Sequence, residues 1–266
     1  ADRLSINVEL PTEQGLHALA PAKSAPGIRA AMDTVAQHIQ TAQEARRTPP
    51  GSKVVSLPGV KTVHPAKPPR FAPGGQSTQM IVGADGADDA VILRTSSALY
   101  QGHQLRRVYY SAFSPIPNSP KSVPLAAPPL MREHRLYQAD FLLRSYGFSA
   151  NELFEGPGHL ALDIDPKLAW ALEHREVFPL DLNRAEPTLI ARIPGIGLRT
   201  TQRLVDLRRE RKIRFEDLAR MRCVLAKAKP FFITSDYHPQ QAESTSVLLR
   251  EQLRDRPQPQ QMGLWG

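Results

Sequence analysis

Proline is the residue that most limits what this chain can fold into. Twenty-five of the 266 residues are proline, about twice the usual share. Each one fixes φ and removes a backbone donor, so long unbroken helices and central strands are interrupted wherever prolines gather. Such a chain needs either long linkers or several short units. The stretch 111–129 carries prolines at 115, 117, 120, 124, 128 and 129, which restricts it to extended and turn geometry crossing a surface. A second loose stretch, 48–75, is rich in Pro and Gly and has little periodicity. Hydrophobic residues still make up 41% of the chain and charged residues 23%, enough for a buried core. No apolar run approaches the roughly 18–20 residues of a membrane span. Ala1 is followed at once by Asp2 and Arg3, with no leader pattern. The single cysteine, Cys223, excludes an internal disulfide framework.

Between the proline-rich stretches lie recognisable elements. Residues 4–10 read LSINVEL, with strict period-two alternation, which predicts a strand with Ser5, Asn7 and Glu9 on one polar face. Ile28, Met32, Val35 and Ile39 recur on one side of a helix. Residues 79–82 and 107–111 read as further strands. Residues 88–100 read as a helix with Val91, Thr95, Ala98 and Leu99 on one side. Strand, helix, strand, helix, strand implies parallel pairing. Three strands and two crossover helices make an incomplete domain, so we expect the chain to begin in the middle of an α/β domain. Pro129 opens a helix that Gly147 ends. Asp165 and Pro166 have the character of an N-cap and first helical residue, for a helix to about Glu176. Beyond residue 233 the tail is polar, with a short helix near 247–253 and then PQPQQ, a linker composition.

Positive charge is concentrated late in the chain. Residues 199–229 hold eleven bases against four acids, nearly the whole of the formal net charge of +8. That stretch adjoins the strongest local motif, 183–209. Asn183 with Glu186 suggests a capping pair, and Leu189, Ile190 and Ile193 give an apolar side. Ile193-Pro194-Gly195-Ile196-Gly197 then predicts a tight turn. A second helix follows with Leu198, Leu204, Val205 and Leu207 as apolar positions. This resembles a helix-hairpin-helix DNA-binding motif. Glycines at 195 and 197 permit a sharp turn and close approach of a ligand. A helix N-terminus favours an anion such as phosphate. Arg199 and Arg203, four apart, share one side. The expected interface is therefore Pro194, Gly195, Gly197, Leu198, Arg199, Thr200 and Arg203. Contacts of this kind read no base, so binding should be sequence-independent and salt-sensitive. The usual small Ala of the second helix is Thr201 here. Residues 215–218 (FEDL) extend the resemblance as a short following helix.

Longer strings occur in order: FAPGGQSTQMIVGA (71–84), LRRVYYSAFSPIP (105–117), REHRLYQADFLLRSYGF (132–148), LDIDPKLAWALEHREVFPLDLNRA (162–185) and the IPGIG turn. Together they resemble the DNA modification/repair radical S-adenosylmethionine (SAM) proteins, over most of residues 1–233. The resemblance implies an α/β part followed by an all-α part: the second part of a partial (β/α) barrel of radical SAM type (1–118), a proline-rich crossing and helical connector (119–182) and a helix-hairpin-helix module (183–233); the polar composition beyond it adds a flexible tail (234–266). It implies SAM and a [4Fe–4S] cluster held by C-x3-C-x2-C, a motif this chain lacks, so the chain alone is expected to be inactive. Cys223 is read instead as a small buried helix residue. The resemblance makes Asn7 and Glu9 candidates for the SAM ribose and amino group. It makes Gln76, Ser77, Gln79 and Gly83, the last in the Ile81-Val82-Gly83 run, candidates for the adenosine side or the substrate. His134, His159 and His174 have no partners at metal-ligand spacing and read as structural or surface residues.

The last residues, Gln261-Met262-Gly263-Leu264-Trp265-Gly266, resemble the bacterial sliding-clamp-binding peptide, with Gln261, Leu264 and Trp265 as its anchors. The expectation is a cytoplasmic, nucleoid-associated protein acting in DNA modification or repair, whose partners are DNA and a sliding clamp and not a membrane. The alternative is a non-catalytic DNA-binding adaptor recruited to the clamp, its α/β part a degenerate remnant.

Overall fold

A computed structural model describes residues 2–47, 68–115, 117, 123–154, 157–240 and 245–255. Most of the loose stretch 48–75 and the end of the tail, including Gln261, Leu264 and Trp265, lie outside the described residues. The fold is mixed α/β, and the chain divides into two compact units, Ala1–Glu133 and His134–Gly266.

The first unit is built on three parallel strands in the order β1 (Leu4–Ser5), β2 (Gln76–Val82), β3 (Arg107–Ala112). Helices α1 (Glu13–Leu19), α2 (Ala25–Arg47) and α3 (Asp89–His103) accompany them. Among the described residues the sheet does not close into a barrel. Period-two alternation decides its faces. Met80 and Val82 of β2 and Val108 and Tyr110 of β3 are fully buried or nearly so. Asp88 caps α3, its carboxylate accepting the Val91 N–H at 2.8 Å. The buried side of α3 is Ile92, Leu93, Ser96 and Leu99, one step round from the side that sequence periodicity selects. Thr95 instead donates its hydroxyl to the Pro11 carbonyl at 3.2 Å.

The first strand departs most from expectation. Ser5 pairs with Ser77, yet Glu9 pairs with Met80, so four steps along the first strand oppose three along β2. One residue is inserted, as in a β-bulge. The Val8 N–H goes to the Thr78 hydroxyl at 2.9 Å, and Glu9 adopts φ 66°. The alternation of LSINVEL is therefore broken, and Ser5 and Glu9 fall out of phase on the sheet. Helix α1, not anticipated, follows at once, capped by the Thr12 hydroxyl, which accepts the Gly15 N–H at 2.9 Å.

The chain passes to the second unit within α4 (Leu130–Ser145), which ends just before Gly147 at φ 72°. The second unit then contains α5 (Ala150–Leu153), α6 (Pro166–Glu173), β4 (Leu180–Asp181), α7 (Pro187–Ile190), α8 (Leu198–Glu210), α9 (Phe215–Arg220), α10 (Leu225–Ala228), β5 (Phe232–Ile233) and α11 (Ser246–Leu253). Asp165 caps α6 through the Leu168 N–H, with Pro166 at its first position; a separate 3-10 turn, Arg175–Val177, follows the helix. Strands β4 and β5 pair in parallel.

One apolar cluster unites this unit. It joins Leu142, Phe148, Leu168 and Trp170 to Ile190, Ile193, Leu204 and Leu218, and it includes Leu249 of α11. Connector, hairpin and the start of the tail thus share a core instead of forming separate segments at 182/183 and 233/234. Leu249 is fully buried, Arg250 makes two bonds to Asp163 at 2.7 and 2.9 Å, and Asp255 accepts from both Arg135 and Lys227 at 2.8 Å. Arg135 is itself only 1% exposed and also donates to the Leu162 carbonyl. Within the tail, residues 246–253 are therefore a docked helix, because α11 buries Leu249 and pairs Arg250.

Candidate nucleic-acid interface

Helix α7 is a single turn opened by Pro187, with Glu186 at the N-cap position and no side chain capping it. Asn183 does not cap: its side-chain oxygen accepts the Ile213 N–H at 2.7 Å, a long-range partner that a local pattern does not reveal. Ile190, Ile193 and Ile196 plug the core, and the Ile196 N–H returns to the Ile193 carbonyl at 3.1 Å. This fixes the turn from which α8 departs.

The two glycines of the turn differ. Gly195 has φ 78°, and a Cβ there would lie 2.4 Å from the Val224 carbonyl oxygen. Its own carbonyl accepts the Val224 N–H at 3.1 Å. Only glycine satisfies both the conformation and the approach. Gly197 is the N-cap of α8 at φ −95°, an ordinary conformation, and a Cβ there would meet the Tyr146 hydroxyl at 3.6 Å. No side chain caps α8. The backbone of Leu198 hydrogen-bonds the Tyr146 hydroxyl, whose pKa burial nonetheless pushes up. The N–H groups of Arg199 and Thr200 have no acceptor among the described residues, so part of the positive end of α8 faces outward.

Charge pairing sorts the basic stretch. Arg211 grips Asp217 with two bonds of 2.6 and 2.9 Å, which holds that carboxyl below its ordinary pKa. Arg208 donates to the Ala185 carbonyl at 2.6 Å, Arg220 pairs with Glu216, and Lys227 bridges Asp165 and Asp255. Arg199 and Arg203, both exposed on α8, make no ion pair among the described residues. Lys212, Arg214 and Arg222 are likewise exposed without an ion pair among the described residues, but only Arg199 and Arg203 stand at the open end of α8. Pro194 and Thr200 are buried and shape the turn. Leu198, expected on the apolar side, is 40% exposed. The Thr201 hydroxyl, in the place of the usual Ala, donates back to the Gly197 carbonyl at 3.2 Å.

Lys167 was not singled out by sequence reasoning. Its ammonium donates to the Ile196 carbonyl at 2.5 Å and sits 4.6 Å from the centre of the Tyr146 ring. Desolvation drives its pKa down to about 7, against the pull of Asp165. The signal available in sequence was only its place two residues after the Asp165 cap.

The expected cofactor residues of the first unit fall into two sets. By ladder register Ser5, Ser77 and Gln79 share one side of the sheet, with Ser111; the Gln79 amide donates to the Ser111 hydroxyl at 3.0 Å, and the Ser5 hydroxyl to the Asn7 side chain at 3.0 Å. Gln76 lies on the opposite side, 1% exposed, its amide spent on the Met32 and His103 carbonyls at 3.0 and 2.6 Å. Its buried carbonyl oxygen has no partner. Glu9 is out of phase and paired with Lys23. Gly83 has φ 80°, and a Cβ there would press on Pro128 at 2.9 Å, so it serves the exit turn of β2. Gln76, Glu9 and Gly83 thus have partners apart from the side shared by Ser5, Ser77 and Gln79. Cys223 lies in the turn before α10 and not on a helix. It is half-buried, its thiol directed at the Leu218 carbonyl at 3.2 Å, and burial raises its pKa. His174 stacks on Trp170 at 4.4 Å, and no group of three or more metal-ligating side chains is present among the described residues. No helix among them is long and apolar enough to cross a membrane.

Comparison of the chain with protein-family models, with curated proteins and with solved structures gives no match.

Proposed function

We propose that the second unit binds DNA through its phosphate backbone without reading sequence. The observation that carries this is the uncapped α8 N-terminus, with Arg199 and Arg203 exposed and unpaired beside it while most neighbouring bases are occupied. A phosphate is the ligand that fits outward amides, a helix dipole and two guanidinium groups four residues apart. The ordered strings that resemble DNA modification/repair radical SAM proteins support a role in that kind of process, with SAM chemistry supplied by parts of such a protein other than the residues described here. A non-catalytic adaptor is the second reading, favoured by Gln76, whose side-chain nitrogen is engaged by backbone carbonyls of its own unit. The tail's resemblance to a clamp-binding peptide suits either.

The test is fluorescence anisotropy with several duplexes of unrelated sequence across a salt series. All should bind alike, and replacing Arg199 and Arg203 with Ala should flatten the log–log salt slope by about two. Gly197→Glu should weaken every duplex together by placing a carboxylate beside the phosphate. Salt-independent binding, or loss on one sequence alone, refutes the reading.

A further inference from the structure

The end of the second unit that carries the α7–α8 turn is not only charged. Three of its large apolar side chains stand in solvent: Phe141 is 48% exposed, Leu198 40% and Val224 55%. They are tied to the turn itself. Phe141 meets Tyr146 edge to face with ring centroids 5.6 Å apart. Tyr146 in turn places its hydroxyl against Gly197 and the Leu198 backbone. Val224 is held to the turn by its bond to Gly195. The Tyr146 ring is backed by the Lys167 ammonium, and Lys167 is locked to the Ile196 carbonyl. The aromatic pair is therefore fixed relative to the positive end of α8.

Backbone recognition of an intact duplex has no use for this apolar surface, because stacked bases present only their edges. An unpaired strand is different. It offers a phosphate and an exposed base face within one nucleotide, and base–aromatic stacking is tolerant of sequence. Exposed aromatic and aliphatic groups beside a phosphate site are also the means by which proteins hold unstacked base steps.

We infer that this end of the second unit takes single-stranded or locally unpaired DNA, one nucleotide's phosphate at the α8 N-terminus with Arg199 and its base against Phe141 and Tyr146. The charge of Arg199 and Arg203 beside the patch selects a polyanion over an apolar protein segment. The inference rests on the DNA-binding reading above and narrows its substrate.

The experiment uses the whole chain and three fluorescein-labelled DNAs of one mixed sequence: a single strand, a blunt duplex, and a duplex with a short internal gap. The single strand and the gapped duplex should bind more tightly than the blunt duplex. Phe141→Ala should weaken the first two about tenfold, within the range of one lost stack, and leave the blunt duplex within about twofold. Phe141→Trp should retain the preference, and its added indole emission should be quenched by the single strand and not by the blunt duplex. Equal loss on all three DNAs, or no change on any, overturns the inference while leaving backbone binding intact. Failure of the parent chain to bind any of the three removes the DNA reading and this inference together, and the Arg199/Arg203 double variant separates these cases. Binding of the blunt duplex that depends on those arginines, with no response to Phe141, leaves only the first reading standing.

Discussion

Gly195 and Gly197 stand two residues apart in one turn, yet the structure assigns them different duties, and Gly195→Ala against Gly197→Ala separates the two. At Gly195 the left-handed backbone costs a non-glycine residue about 1–2 kcal/mol. The added methyl would lie 2.4 Å from the Val224 carbonyl oxygen, so the backbone at 224 has to withdraw. That endangers the Val224 N–H to Gly195 carbonyl bond, worth about 1 kcal/mol net. Together these give about 3 kcal/mol, or about 10 °C in the melting temperature of a unit this size. At Gly197, φ is −95° and the nearest atom to an added Cβ is 3.6 Å away. Alanine there should cost less than about 1 kcal/mol, since alanine is only a poorer N-cap than glycine. Urea unfolding followed by circular dichroism measures both. A Gly195→Ala protein within 1 kcal/mol of the parent, or equal losses at both positions, would refute the assignment.

Lys167 should make stability depend on pH. Its folded pKa of about 7 lies below the ordinary lysine value, so between about pH 7 and 10.5 the unfolded chain binds more protons and stability rises with pH; below pH 7 the full cost of the buried ammonium is present. Between pH 10 and pH 6 the stability of Lys167→Met should therefore shift in its favour relative to the parent by about 4 kcal/mol; a difference independent of pH in urea titrations argues against a depressed pKa. Leu249→Ala should cost about 2–5 kcal/mol, because Leu249 is fully buried, and an unchanged unfolding midpoint would mean that α11 is not docked. For the tail, a peptide of residues 255–266 should bind a bacterial sliding clamp weakly, and Leu264→Ala with Trp265→Ala should abolish this while leaving DNA binding by the whole chain unchanged; retained clamp affinity in the double variant ends that reading.

Local chemistry was the legible part. Asp165-Pro166 announces its helix because cap and first residue are adjacent, and Gly147 closes its helix for an equally local reason. The parallel pairing of the three strands follows from the helices between them. What was hidden depends on partners remote in sequence. Nothing in LSINVEL reveals that the Thr78 hydroxyl takes the Val8 N–H and lets a residue slip into the strand. Asn183 has the character of a cap until Ile213, thirty positions on, claims its oxygen. Gln76 has the character of a ligand-binding polar residue until α2 and α3 supply two carbonyls for its amide. In the tail the short helix near 247–253 was legible, but its docking through Leu249 was not. At the candidate interface the arginines were legible and their availability was not, because Arg208 and Arg211 read the same as Arg199 until their partners are known.

The docking of α11 also sets a distance. Asp255 is pinned by Arg135 and Lys227, and Gln261 follows six positions later. Fully extended, six residues span only about 20 Å. A partner bound at Gln261, as proposed above, would thus lie within that distance of Asp255. Insertion or deletion between Asp255 and Gln261 would change that upper limit without touching Leu249 or the Asp255 ion pairs.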